Sequence, residues 1–189
     1  MPLYTMDDSV RRENRRVELA YRLLSHGVRT AIISRLTGIT RDRLSTLRRR
    51  WGVPSAARWR GPTFSSVRRF LKVPLNRTEG AALTAVCAAF DLPTLEREVA
   101  ALPASHISLE YGERLCECFE AYRACYPNAQ VALEQLMMLR ARLVGGDPVT
   151  IGKCRSCRCL MLIDRYNGVR NCWHCDPGAY LEKTRSTAS

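Results

Sequence analysis

Two C-x-x-C pairs near the C-terminus constrain the fold of this chain more than any other feature. Cys154 and Cys157 form the first pair, Cys172 and Cys175 form the second, and fourteen residues separate the pairs. Two tight turns at this spacing can present four thiolates at about 2.3 Å from a single zinc ion. The sequence therefore predicts one Zn²⁺ per chain, bound by these four cysteines.

The segment between the two pairs has the composition of a short β-ribbon. Leu160, Leu162 and Ile163 form an apolar run, and Val169 follows the dipeptide Asn167-Gly168. Asn-Gly is the pair that a two-residue hairpin turn prefers, because both central residues need positive φ. We therefore expect a small zinc-ribbon-like module, with the chain reversing direction at Asn167-Gly168.

Cysteines at this spacing could instead form disulfides, a redox-active pair, or unrelated parts of an apolar core. Residues 1–8 show no secretory signal, and the longest apolar-rich run, Ala81 to Phe90, is too short to cross a bilayer. These features predict a cytoplasmic protein without a membrane segment. In a reducing compartment, paired C-x-x-C sequences bind metal more often than they form disulfides.

Four thiolates would fill the coordination sphere of the metal, which predicts a structural zinc and leaves no position for a catalytic water. Two neighbouring residues keep the choice of ligands open. Cys159 is a possible substitute for Cys157, and His174 lies inside the second pair. The remaining cysteines lie in helical stretches and are predicted to be small apolar core residues: Cys87, Cys116, Cys118 and Cys125.

The charge of the chain is high and unevenly distributed. The 189 residues carry a net charge of +12, and residues 1–77 hold 18 basic and 5 acidic side chains, whereas residues 78–153 are mildly acidic. Most of the basic residues are arginines, which bind phosphates and guanine edges through two parallel hydrogen bonds. This distribution predicts a unit that faces nucleic acid, joined to one that faces protein.

The basic N-terminal block is predicted to form three helices. The first should end at Gly27, the second should span about residues 29–36, and Gly38-Ile39 should make a tight turn. Thr40 is the expected N-cap of a third helix that continues to about Arg50. Two short helices joined by a glycine-containing turn are typical of a helix-turn-helix.

The third helix is predicted to bind DNA. Five of its ten residues are arginines, and its apolar residues Leu44 and Leu47 leave the opposite arc free to enter a major groove. The ordinary alternative is a helical bundle with a solvated arginine face. The predicted DNA-contacting residues are Arg41, Arg43, Ser45, Thr46, Arg48, Arg49 and Arg50.

The whole chain is expected to be mainly α-helical, in four segments. Residues 1–51 form the helix-turn-helix-like region, and 52–77 form an extended connector. Residues 78–147 form a helical partner-binding region, and 148–189 hold the zinc module and a tail. The connector interleaves aromatic and basic residues that could follow a phosphate backbone or a partner groove. The basic residues that could make these contacts are Arg58, Arg60, Arg68, Arg69 and Lys72.

Three stretches in this order resemble the FlhC family, the zinc-binding subunit of the bacterial flagellar master transcription activator. They are HGVRTAIISRLTGITRDRL, AYRACYP, and the paired C-x-x-C segment that ends in CDPG. The likeness extends from about Arg15 to Pro177, and departures such as Arg158-Cys159 are typical of a divergent member or paralogue. The resemblance implies zinc on the four named cysteines, a hetero-oligomer with an FlhD-type subunit, binding to promoter DNA and recruitment of RNA polymerase.

No enzyme motif stands out in the sequence. Gly152-Lys153 is the nearest match to a phosphate-binding loop, but Asp147 and Cys154 stand where that loop needs glycine and a hydroxyl residue. We therefore expect no catalysis, and two hypotheses of different kinds remain. One is a sequence-specific DNA-binding activator subunit, and the other is a zinc-containing adaptor that binds protein or single-stranded RNA.

Overall fold

The computed structural model describes residues 8–53, 67–101, 108–145, 149–165 and 168–178. Within this part of the chain there are eight helices and one two-stranded sheet. The helices are α1 Asp8–Ser25, α2 Thr30–Thr37, α3 Arg41–Arg50, α4 Val67–Lys72, α5 Pro74–Ala89, α6 Leu92–Ala100, α7 Leu109–Cys125 and α8 Leu133–Val144, and the strands are β1 Val149–Lys153 and β2 Leu160–Asp164. The prediction of a mainly helical chain with a cysteine cluster near its C-terminus is confirmed.

The chain divides into two compact units. One contains Met1–Gly61 and Leu92–Glu117, and the other contains Pro62–Asp91 and Cys118–Ser189. This division differs from the four consecutive segments that composition suggested, because each unit is built from two separate stretches of chain. Local composition compares only residues that are adjacent in the sequence. A compact unit depends instead on which apolar faces pack together in space.

Helices α1, α2 and α3 pack together within the first unit. Their apolar residues recur at helical spacing and are removed from water, as an amphipathic helix requires. Trp51, at the end of α3, contacts Tyr21 of α1 edge to face, with ring centroids 5.3 Å apart. The buried apolar residues of the three helices are Leu19, Ala20, Leu23, Leu24, Ile33, Leu36 and Leu44.

The turn between α2 and α3 is built by three residues with distinct roles. The buried Thr37 hydroxyl donates to the carbonyl of Ile33 at 2.8 Å and accepts the N–H of Ile39 at 3.2 Å. Gly38 ends α2 at φ 71°, a left-handed conformation that glycine adopts without steric cost. Thr40 caps α3 by accepting the N–H of Arg43, so the predicted turn and cap are confirmed.

The second unit places the two-stranded sheet against helices α4, α5 and α8. Strands β1 and β2 are antiparallel, with Lys153 opposite Leu160 and Val149 opposite Asp164. Gly80 allows α5 to lie close to β2, because a Cβ atom there would stand 2.7 Å from Cδ1 of Leu162 and 3.2 Å from Cε1 of Phe70. The buried Arg77 donates from Nη1 to the carbonyl oxygen of Leu162 at 3.5 Å.

Two predictions about local structure are corrected. Leu160–Asp164 pairs with the preceding strand β1, whereas the sequence suggested a ribbon across Asn167-Gly168; Asn167 lies outside the described residues. The prediction of an extended connector is wrong for residues 67–77, where α4 and the start of α5 bury Val67, Phe70 and Leu71. The connector's basic residues Arg58 and Arg60 also lie outside the described part of the chain.

Helix α6 lies inside the region 78–147 that was predicted to be helical, although this helix was not predicted individually. No helix in the described ranges combines the length and the apolar character needed to span a bilayer.

Candidate metal centre and arginine-bearing helix

The first cysteine pair lies in the connection between β1 and β2. The N–H of Cys154 donates to the carbonyl of Cys159 at 2.9 Å, and the N–H of Arg158 donates to the carbonyl of Cys154 at 3.1 Å. Arg158 adopts φ 64°, which turns the chain from the cysteine pair into β2. Together these bonds close the hairpin around Cys154 and Cys157.

The second pair forms its own tight turn. The N–H groups of Cys175 and Asp176 both donate to the carbonyl of Cys172, at 3.1 and 3.0 Å. The two turns are joined by a backbone bond from Arg155 N–H to the carbonyl of Arg170 at 3.0 Å. These bonds bring cysteines that are far apart in sequence to one place.

Four cysteine sulfurs lie close enough together to hold a metal ion. The Sγ atoms of Cys154, Cys157, Cys159 and Cys172 are all within 4.8 Å of one another. Those of Cys157 and Cys172 are 3.5 Å apart. In a tetrahedral zinc site with Zn–S bonds of about 2.3 Å, neighbouring sulfurs are about 3.8 Å apart. The donor type and the spacing therefore fit zinc.

The structure places the four predicted ligands unequally. Cys154, Cys157 and Cys172 belong to the close group, and Cys159 is its fourth member. Cys175 is outside that group, although hydrogen bonds with the thiols of Cys157 and Cys172 raise the pKa of Cys175 to about 12. The second pair thus contributes one cysteine to the close group and holds the other beside it.

The membership of Cys159 follows from the two-residue period of β2. Cys159, Met161 and Ile163 alternate along the strand and therefore lie on one face of the sheet. On that face they pack with Cys154, Cys172 and Val169 in a single buried cluster. Every residue from Cys159 to Ile163 is apolar, so hydropathy alone does not show which face carries Cys159. The sequence named Cys159 only as a possible substitute for Cys157.

Backbone N–H groups favour the thiolate form at the first pair. The N–H of Cys157, with further donors, lowers the pKa of Cys154 to about 6, and the N–H of Cys159 lowers the pKa of Cys157. Burial raises the pKa of Cys159 to about 12. Metal binding requires thiolates and releases protons, so a dication would supply the charge that ionises the remaining thiols.

Helix α3 presents most of the predicted DNA-contacting residues at the surface. Arg41, Arg49 and Arg50 are exposed, whereas Ser45 and Arg48 are half-buried. Thr46 is exposed and its hydroxyl donates to the carbonyl of Asp42 at 3.2 Å, so its lone pairs remain the available acceptors.

Arg43 of α3 forms an ion pair with α1. Its Nη2 lies 2.6 Å from Oε1 of Glu13, and both side chains are partly exposed. Exposed ion pairs of this kind contribute about 0.2–1 kcal/mol to the free energy of unfolding. The pair therefore orients Arg43 but adds little to stability.

No family model matches the sequence, and no curated protein matches it either.

Proposed function

We propose that this chain is a DNA-binding subunit of a bacterial transcription activator of the FlhC type. In this proposal it acts in the cytoplasm with an FlhD-type subunit, binds promoters of flagellar operons and recruits RNA polymerase. The observation that carries DNA binding is the set of exposed arginines on α3, with Arg41, Arg49 and Arg50 at the surface. The resemblance in sequence supplies the partner, the class of promoter and the polymerase.

The two short helices α2 and α3 support a helix-turn-helix role for this region. Three residues separate them, and the turn is held by Thr37, Gly38 and Thr40. In helix-turn-helix proteins the second helix enters the major groove. Its side chains contact base edges, and the cationic side chains beside them contact phosphates. We assign base contact to Thr46 and Arg49, and phosphate contact to Arg41, Arg48 and Arg50.

The proposed zinc has a structural role in the second unit. The cysteine sulfurs of the cluster would bind the zinc ion, and the bound ion would cross-link the two turns. Free energy of metal binding at such sites becomes free energy of folding, because the unfolded chain has no preformed site. The chain residues that the ion would join are the ends of β1 and β2 and the turn at Cys172.

Two substitutions at one position test the DNA-binding assignment. The chain is co-purified with its FlhD-type partner, and binding is measured at near-physiological salt to a flagellar promoter duplex and to a scrambled duplex. Arg49→Ala should lose about 1–3 kcal/mol of promoter binding, which is roughly 5- to 150-fold in affinity. Arg49→Lys should lose most of the same preference, because lysine keeps the charge but not the planar fork.

Arg142→Ala is the matched control, because Arg142 is an exposed arginine on α8 in the other compact unit. It should leave promoter preference unchanged. If Arg49→Ala binds the promoter as tightly as the unmodified chain does, α3 is not the reading helix. Equal, salt-sensitive binding of the unmodified complex to both duplexes would overturn sequence-specific recognition.

The same assay with a single-stranded RNA competitor tests the adaptor hypothesis. Displacement of the promoter by RNA at a lower concentration than by duplex DNA would favour an RNA-binding zinc protein, because aromatic stacking needs splayed bases.

A further inference from the structure

The two cysteine turns and the residue before β2 carry five thiols in all, one more than a tetrahedral zinc ion can bind. Cys154, Cys157 and Cys172 are both predicted ligands and members of the close group of sulfurs. The fourth position has two candidates, Cys159 from the start of β2 and Cys175 from the second turn. This inference rests on the proposed zinc site and concerns which thiols occupy it.

Cys159 is held in place by the hairpin. Its carbonyl accepts the N–H of Cys154 at 2.9 Å, and the next residue, Leu160, begins the paired strand opposite Lys153. Its half-buried side chain packs on the cluster that contains Met161 and Val169. The backbone at Cys159 is therefore fixed beside the three shared ligands, and its sulfur lies within 4.8 Å of theirs.

Cys175 approaches the same three thiols from the solvent side. Its N–H donates to the carbonyl of Cys172 at 3.1 Å, which fixes its backbone in the turn, and the residue is exposed. Its thiol hydrogen-bonds with those of Cys157 and Cys172, which places it beside the same coordination position. The two candidates thus reach one coordination position from a buried and an exposed direction.

We propose that the site has three constant ligands and one position shared by Cys159 and Cys175. Zinc has no geometric preference arising from its d electrons, so one thiolate can replace another while the tetrahedron is kept. In this exchange one Zn–S bond forms as another breaks, the departing thiolate takes up a proton from solvent, and the entering thiol releases one. The cluster keeps four thiolate ligands when either of the two is removed.

Cobalt(II) spectroscopy on the full-length chain tests the proposal directly. Co²⁺ replaces Zn²⁺ at such sites, and its sulfur-to-metal charge-transfer absorption rises with the number of bound thiolates. The variants are Cys159→Ala, Cys175→Ala and the double variant, with Cys172→Ala as the control for a constant ligand. Each is titrated with Co²⁺ and then back-titrated with Zn²⁺ to obtain the relative affinity.

Both single variants should keep the four-thiolate spectrum and bind one metal ion per chain. The double variant should lose about a quarter of the charge-transfer intensity, as Cys172→Ala should. Loss of a thiolate in Cys175→Ala with no change in Cys159→Ala would overturn the proposal in favour of a fixed set with Cys175. The reverse result would overturn it in favour of a fixed set with Cys159.

Alkylation of the zinc-loaded, unmodified chain gives a second measurement that needs no substitution. In a brief pulse of iodoacetamide that modifies only a small fraction of the chains, Cys159 and Cys175 should both carry label, while Cys154, Cys157 and Cys172 are protected, and the exposed Cys125 serves as the fully reactive reference. Label on one of the two with none on the other after such a pulse contradicts exchange. A chain that binds neither Zn²⁺ nor Co²⁺ would instead reject the metal centre itself.

Discussion

Arg158 occupies a backbone conformation that glycine would adopt more easily. Its φ is 64°, and among the described residues only Asp91 shares a positive φ without being glycine. The left-handed region costs an L-residue about 1–2 kcal/mol, whereas glycine enters it freely but loses about 0.5–1 kcal/mol in chain entropy. The position must be left-handed because the hairpin turns here from the first cysteine pair into β2.

Replacing Arg158 with glycine should therefore stabilise the second unit by about 0.5–1 kcal/mol in free energy of unfolding. The N–H bond to the carbonyl of Cys154 is a backbone bond and survives the change. Urea unfolding of the zinc-loaded chain measures the effect. Arg155→Gly is the control and should destabilise, since Arg155 is not among the described residues with positive φ. A lower unfolding midpoint for Arg158→Gly than for the unmodified chain would contradict the argument.

At the scale of elements, the packing of α5 on β2 depends on the absence of a side chain at Gly80. The nearest atoms to a Cβ there belong to Leu162 at 2.7 Å, Phe70 at 3.2 Å and Leu139 at 3.3 Å. These residues come from β2, α4 and α8, so three elements meet at one glycine. Glycine in a helix interior is less stable than alanine by about 1 kcal/mol. Here the missing side chain allows the close approach that offsets this difference.

Gly80→Val should destabilise the second unit by about 1–3 kcal/mol, because the added atoms have no space among three buried side chains. Thermal unfolding followed by circular dichroism measures the change. Ala88→Val on the exposed side of the same helix reports the helix propensity of valine alone, about 0.5 kcal/mol. If the two variants unfold at the same temperature, close packing at Gly80 is not required.

At the scale of the whole molecule, the cysteine cluster and the helices α4, α5 and α8 belong to one compact unit, while α1, α2 and α3 belong to the other. Strand β2 links the cluster to the helices of its unit, because one face carries Cys159, Met161 and Ile163 and the opposite face carries Leu162, against Gly80. Gly152 of β1 is needed on the cluster side, since a Cβ there would clash with Cδ1 of Ile163. Loss of the proposed metal ion is therefore expected to destabilise the helices of the second unit as well.

Removal of zinc with a chelator should raise hydrogen exchange most in β1 and β2, and also in α5 and α8. Exchange in α1 to α3 should change little, because their core of leucines lies within the first unit. Mass spectrometry of peptides from labelled protein, with and without the chelator, measures each element, and re-addition of Zn²⁺ is the control. Equal loss of protection in α1 to α3 would show one cooperative unit.

Local signals were enough for much of the fold and part of the site. The glycine at position 38 and the cap at Thr40 were readable because each acts on its own neighbours through a short backbone contact. The helices α1, α2, α3, α5, α7 and α8 were readable from apolar residues at helical spacing. The two C-x-x-C pairs predicted a cluster of thiols, because each pair forms a tight turn from residues that are adjacent in the sequence. Only the contact between the two turns depends on long-range packing.

Long-range packing settled what these local patterns leave open. Strand β2 pairs with β1 and not with a strand after Gly168. This pairing depends on the surface of α5 around Gly80, which is far from β2 in the sequence. That pairing placed Cys159 in the close group of sulfurs, which does not include Cys175. The spacing of the cysteines by itself requires that their thiols converge. Which thiols come closest is decided by the packing of β2 on α5. A strand has a period of two, so its register assigns each side chain to one face of the sheet.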